Sequence, residues 1–174
     1  FPYTTLFRSI EFSTPVTAVS NIRRSWAAGV PVVSGTTGWK EQLPELKAEL
    51  QTNGKALFWT SNFSVGVNMF FALNRKLYEL MNKVEGYEPS ITEIHHIHKL
   101  DAPSGTAVTL AEQICFPTDK IERIRRGEVP GTHIVKYDSA VDTLTITHEA
   151  HSREGFALGA VLAAEFIKGK KGFY

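Results

Sequence analysis

The spacing of apolar residues divides the chain into a stretch where strand and helix periods alternate and a stretch dominated by the strand period. Ile10–Phe12 predicts a strand remnant, Pro15–Ala28 a helix ended by Gly29, and Val30–Ser34 a buried strand. Trp39–Gln51 follows as a charged amphipathic helix closed by Gly54, and Ala56–Thr60 as another strand. Strands joined by helices are expected to run parallel. Val65–Val84 predicts one long helix whose apolar positions, Val67, Phe70, Phe71, Leu73, Leu77, Leu80 and Met81, are expected to pack on a sheet. Beyond it, Ser90–Ile94, Ile121–Arg125, Thr132–Asp138 and Val141–His148 predict strands, with Asp138-Ser139-Ala140 as a hairpin connection. An Ala-rich helix over Gly155–Lys168 ends the pattern, and no internal repeat is present. The sum is an α/β piece joined to an α+β piece.

Chemistry concentrates between His95 and Ala107. The β-branched segment before it carries His95, His96 and His98 toward a loop at Lys99–Pro103, and strand parity groups Glu93, His95 and Lys99 on one face with His96 and His98 opposite. Ser104 is a good N-cap for a helix that runs to about Ile114, and the first-turn N–H groups at Gly105 and Thr106 can hold a carboxylate or phosphate. An imidazole titrates near neutral pH, and an adjacent ammonium disfavours its protonated form, so His95 with Lys99 makes a tunable proton donor. Lys99 beside the helix start would also attract a dianion, and a dicarboxylate fits that description. Glu93 reads either as a residue that orients a histidine or as plain strand surface. In the first piece, Gly35-Thr36-Thr37 and Thr60-Ser61-Asn62-Phe63 fall just past the carboxyl ends of two parallel strands, where open α/β sheets bind their ligands.

Residues Glu93–Ala107 match the pattern Glu-x-His-His-x-x-Lys-x-Asp-Ala-Pro-Ser-Gly-Thr-Ala at every specified position. That pattern is the signature of 4-hydroxy-tetrahydrodipicolinate reductases, also called dihydrodipicolinate reductases, and the chain resembles that family from about residue 10 onward. Gly35–Trp39, Ser61–Asn68 and Val129–His133 resemble the family's text in the same order. The resemblance implies a Rossmann-type parallel sheet domain, present here as its C-terminal part over residues 1–64, and a substrate-binding and oligomerisation domain with a mixed sheet over 65–154. Residues 155–174 would form a helix that returns to the cofactor domain. It implies reduction by NADH or NADPH, with hydride delivered to a small unsaturated dicarboxylate in lysine (diaminopimelate) biosynthesis. His95 with Lys99 would donate the proton, and His96, Lys99, Gly105 and Thr106 would bind the substrate carboxylates. Gly35, Thr36, Thr37, Thr60, Ser61, Asn62 and Phe63 would hold the nicotinamide half of the cofactor. A homotetramer is the family's usual assembly.

The family opens with a glycine-rich dinucleotide loop, and no Gly-x-x-Gly-x-x-Gly occurs here. The front of the cofactor domain is therefore expected to be absent, which leaves open an inactive fragment that still binds dicarboxylate. Phe1–Ser9 do not fit the family's run into Ile10 and are expected to be a sequencing or assembly artefact; resequencing through the junction tests this.

Composition narrows the remaining classes. A net charge of +1 with scattered basic residues gives no nucleic-acid or membrane footprint, and no stretch approaches the roughly 18 apolar residues of a membrane span. Cys115 is alone, so no disulfide framework is predicted, the cytoplasm fits best, and its spacing from Leu110 and Ala111 places it in the core. The sharpest rival chemistry is a metal hydrolase in which His96 and His98 bind Zn²⁺ with His133, His148 or His151. Repulsion by Lys99 argues against it, and no metal is expected.

Overall fold

A computed structural model describes residues 7–174, and the chain divides into two compact units. One contains the residues up to Phe63 together with Phe156–Tyr174, and the other is Ser64–Gly155. Of the nine residues expected to be foreign, the first six lie outside the described residues, while Ser9 is the first residue of a strand.

The first unit is a parallel sheet of β1 (Ser9–Glu11), β2 (Val32–Ser34), β3 (Ala56–Trp59) and β8 (Gly172–Phe173), in that spatial order. Strand alternation sends neighbouring apolar residues to opposite faces. Val32 and Leu57 pack with α1 (Pro15–Ala27) and α2 (Leu43–Asn53) through Ala18, Ile22, Trp26, Leu46 and Leu50. Val33 and Ala56 pack on the other face with Phe63 and with Ala160, Ala163 and Ala164 of α5 (Glu154–Phe166). Helices thus cover both faces, which explains why β2 reads as a continuous apolar run. The predicted helix start at Trp39 moves to Leu43, because Pro44 suits a first turn and Lys40–Gln42 is a 3₁₀ segment. Gly54 ends α2 at φ 62°, a conformation that glycine adopts at little cost.

The small residues of α5 are a packing requirement. A Cβ on Gly159 would lie 1.7 Å from the carbonyl oxygen of Phe63, which is backbone and has little room to yield. Gly159→Ala is therefore expected to destabilise this unit by about 1–3 kcal/mol or more, read as a lower denaturant midpoint by fluorescence of Trp26, Trp39 and Trp59.

The second unit is a mixed sheet in the order β5 (Glu122–Arg125), β4 (Glu88–His95), β6 (Thr132–Asp138), β7 (Thr143–Glu149). β4 runs parallel to β5 and antiparallel to β6, which is antiparallel to β7. Its core forms where Ile91, Val135 and Tyr137 meet Val67, Phe70 and Phe71 of α3 (Val65–Met81) and Leu110, Ala111 and Ile114 from α4 (Gly105–Gln113) and its C-cap. The predicted apolar stripe of α3 is broader than its buried face. Leu73 and Leu80 are more than half exposed, and Asn74 is buried in their stead, donating from Nδ2 to the Leu110 carbonyl at 3.1 Å. Cys115 is also corrected: α4 ends before it, and it turns outward at φ 54°, exposed rather than in the core. Val141 lies in the exposed turn ahead of β7, not in a strand. None of the helices among the described residues is long and apolar enough to cross a membrane.

Candidate active site

In β4 the parity that buries Ile91 also buries Glu93 and His95, so a carboxylate and an imidazole enter the interior on the face that holds the core. Register then decides their company. β6 sets His133 opposite Glu93, and β5 sets Arg125 opposite His95. The His95 and His133 rings meet edge to face with centroids 5.0 Å apart.

Glu93, fully buried, uses both carboxylate oxygens. Oε2 accepts from the Ser104 amide at 2.9 Å and Oε1 accepts from Arg125 Nη2 at 3.1 Å. Burial opposes its ionisation, but hydrogen bonds from Ser104 and Arg125 outweigh burial and hold its pKa below the usual carboxylate value. His95 Nδ1 sits 3.6 Å from Glu93 Oε2, beyond hydrogen-bond reach. Burial lowers the His95 pKa; Glu93 pulls the other way, while Lys99 and Arg125 add to the depression. His133 is driven down to about 3, chiefly by burial and then by His95, and so is neutral across the physiological range.

The loop after β4 carries Lys99, whose Nζ donates to Asp101 Oδ1 at 2.7 Å. Asp101 in turn lies below the usual carboxylate range: burial works against this, and the Lys99 ammonium prevails. Ser104 is extended at φ −68° and ψ 155°, and its Oγ accepts from the Ala107 amide at 3.2 Å, which caps α4 as its sequence predicts. The same hydroxyl lies 3.1 Å from His133 Nε2. Past the cap, Gly105 has open space where a Cβ would stand, and Thr106 is half-buried. His95 and the α4 N-terminus thus stand at the two ends of one loop, with Lys99 between them. His96 is half-buried with a buried Nδ1 that has no protein partner, a polar atom suited to an incoming acceptor.

Among the described residues the zinc grouping does not form: His98 pairs with Glu128 at the surface, His133 adjoins His95 instead, and neither His96 nor His98 belongs to a cluster of three potential ligands. The trio that does converge is Glu93, His95 and His133, with donor atoms within 4.8 Å of one another, and there the Arg125 guanidinium already occupies Glu93. Arg125, the burial of Glu93 and the approach of His133 escape a reading along the chain, because strand pairing creates them. The one advance signal was parity with Ile91.

In the first unit, Gly35–Thr37 follows β2 and Thr60–Phe63 follows β3, at the carboxyl ends of adjacent parallel strands. Thr36 is buried: its Oγ1 donates to Glu11 Oε1 at 3.0 Å and accepts from the Ser13 amide at 2.7 Å. Its carbonyl accepts from Trp39 Nε1 at 2.6 Å and Trp59 Nε1 at 2.9 Å. Phe63 is buried too, so Thr36 and Phe63 hold these loops from beneath. Thr37 and Ser61 are exposed, while Gly35, Thr60 and Asn62 are half-buried. Small, hydroxylated residues at this edge fit a nucleotide cofactor that needs close backbone approach.

A helix-covered parallel sheet with such loops, joined in one chain to a mixed-sheet unit with an imidazole, an ammonium and a capped helix start, defines a two-unit oxidoreductase dependent on a pyridine nucleotide. Residues 8–63 match the family profile described as dihydrodipicolinate reductase, N-terminus, and residues 66–174 the one described as dihydrodipicolinate reductase, C-terminus. The 4-hydroxy-tetrahydrodipicolinate reductase of Christiangramia forsetii is 45% identical over 95% of this chain and 76% of its own length. The enzyme of that name from Ralstonia pickettii is 33% identical over 95% of this chain and 70% of its own. A dipicolinate-bound dihydrodipicolinate reductase from Paenisporosarcina sp. TG-14 has the same fold, with a TM-score of 0.74 at 22% identity, covering 95% of this chain and 70% of that one. The chain belongs to the dihydrodipicolinate reductase family.

Proposed function

We propose that the chain reduces 4-hydroxy-tetrahydrodipicolinate to tetrahydrodipicolinate, in lysine biosynthesis, with NADH or NADPH as reductant. The observation that carries this reading is the juxtaposition of buried His95, Lys99 and the Ser104-capped start of α4 within a chain of this family. When bound, the nicotinamide supplies hydride. Thr37, Ser61 and the backbone of Gly35, Thr60 and Asn62 would hold it, with Thr36 and Phe63 fixing the loops.

Loss of water from the substrate leaves a carbon–carbon double bond conjugated to the ring imine. Hydride adds to the distal carbon, the electron pair moves toward the imine nitrogen, and a proton must arrive to neutralise it. His95 and Lys99 supply that proton. His96, Lys99 and the Gly105-Thr106 turn take the two carboxylates, the ammonium by charge and the turn by its N–H groups and helix dipole. The dicarboxylate also arms the donor. His95 is biased to its neutral form by burial and by Lys99, and an arriving dianion favours the imidazolium. Binding is therefore expected to take up protons, at pH values reaching below the ordinary imidazole range, measured by calorimetry in two buffers of different ionisation enthalpy; equal heats in both would contradict His95 as the group charged by substrate.

The test of the proposal is nicotinamide oxidation with freshly generated substrate, NADH and NADPH compared side by side. Competitive inhibition by pyridine-2,6-dicarboxylate is expected, and a purely non-competitive pattern would place the dicarboxylate elsewhere. A homotetramer in the cytoplasm is the expected setting by family resemblance.

A further inference from the structure

We propose that Glu93 and Arg125 are positioning residues for this reaction: together they clamp the Asp101–Ser104 half of the 96–104 loop, and so fix Lys99 and the start of α4 at the spacing the substrate carboxylates require. The proposal rests on the functional reading above and adds two residues that touch no substrate.

A chain of hydrogen bonds runs outward from one carboxylate. Glu93 Oε2 takes the Ser104 amide at 2.9 Å, which pins the far end of the loop where α4 begins. Glu93 Oε1 takes Arg125 Nη2 at 3.1 Å, and the same nitrogen donates to the Asp101 carbonyl at 2.8 Å. Asp101 holds the Lys99 ammonium at 2.7 Å. The carboxylate therefore reaches the cation through Arg125 and Asp101, and the anion cradle through Ser104. Few other bonds restrain the near side of the loop: Ile97 donates its amide to the Gly127 carbonyl at 3.1 Å and Lys99 to the His96 carbonyl at 3.2 Å. Two elements distant in sequence thus converge on a segment without regular structure.

Side-chain identity matters at each end. A carboxylate offers acceptors on both oxygens, and the rigid guanidinium holds the two N–H bonds of Nη2 in one fixed plane toward Glu93 and the Asp101 carbonyl, where a lysine ammonium rotates freely on a flexible stem. Glu93 is entirely buried and Arg125 is about one-fifth exposed. The pair is thus shielded from competing water, and shifts it permits are passed directly to the loop. Misplacement of reacting groups by about 1 Å can cost 100-fold in rate.

The test compares Glu93→Gln, Arg125→Lys and the double variant Glu93→Gln with Arg125→Met against the unaltered protein. The double variant leaves no unpaired buried charge, so it carries the test if a single variant does not fold. Calorimetric titration with pyridine-2,6-dicarboxylate and steady-state kinetics are the readouts. Affinity for the dicarboxylate is expected to fall about 10- to 100-fold, with KM for substrate rising in step and KM for the nicotinamide unchanged. Arg125→Lys is expected to lie between the unaltered protein and Glu93→Gln. Folded variants that bind the dicarboxylate as tightly as the unaltered protein would overturn the clamp while leaving the functional reading intact. Failure of the unaltered protein to bind the dicarboxylate would overturn that reading and the clamp with it.

Discussion

Alanine in place of His95 or Lys99 is expected to lower turnover by about 10²- to 10⁴-fold, the usual worth of a positioned general acid. The two variants should differ in a second respect. In the proposed mechanism Lys99 carries the charge that draws a substrate carboxylate, so its loss should also raise KM. His95 is buried against the His133 ring and in the proposed mechanism carries the proton rather than the charge that draws a carboxylate, so its loss should act mainly on kcat. The assay is nicotinamide oxidation with freshly generated substrate. Folded variants that keep turnover within tenfold of the starting protein would place the proton donor elsewhere. Equal losses of kcat and of thermal stability would mark the residues as structural.

Acid is expected to destabilise the second unit well before its carboxylates titrate. The His133 pKa is about 3 in the folded chain against an ordinary value of 6.5, because burial disfavours the imidazolium. A depressed histidine pKa means that the unfolded chain binds a proton the folded chain refuses. Stability is therefore whole above the unfolded value and falls as pH drops from about 6.5 toward 3. At about 1.4 kcal/mol per pH unit for one fully linked proton, His133 alone accounts for roughly 3 kcal/mol between pH 6.5 and 4. His95 and His148, both lowered chiefly by burial, add to the slope in the same direction near its upper end. Glu93 and Asp101 have depressed pKa values as well, and their stabilisation is lost at lower pH, below the ordinary carboxylate range. All three tryptophans, Trp26, Trp39 and Trp59, report on the other unit. Amide hydrogen exchange in β4 and β6 against pH is the appropriate measurement. His133→Gln keeps a group able to accept from the Ser104 hydroxyl and cannot charge, so it should flatten the profile by about one proton; an unchanged slope would contradict the assignment.

Local rules make much of this structure legible in the sequence. Ser104 caps α4 because a serine hydroxyl serves the N3 amide, and Gly54 closes α2 because glycine tolerates positive φ. Parity along β4 groups Glu93 with His95 as found, but it does not extend to Lys99, which lies in the loop beyond the strand's end. What sequence could not supply was pairing register: only the β4–β6 and β4–β5 ladders bring His133 and Arg125 to Glu93. The same gap hid the fate of Glu93, which was as open to being strand surface as to being an orienting group. Apolar periodicity overstated the core at Leu73 and Leu80, since α3 buries a narrower face and gives Asn74 a backbone carbonyl to bond. Thr36 reads as a cofactor ligand along the chain, and in space its hydroxyl serves Glu11 and Ser13.

The most direct measurement is calorimetric titration of the 174-residue chain with pyridine-2,6-dicarboxylate, in parallel with His96→Ala and Thr106→Ala. One site per chain is expected, with affinity weakened at least about tenfold in each variant, as loss of a hydrogen bond to a charged group implies. A folded chain that takes up no dicarboxylate, or binds it equally well without His96 and Thr106, would contradict the placement of the substrate at the start of α4.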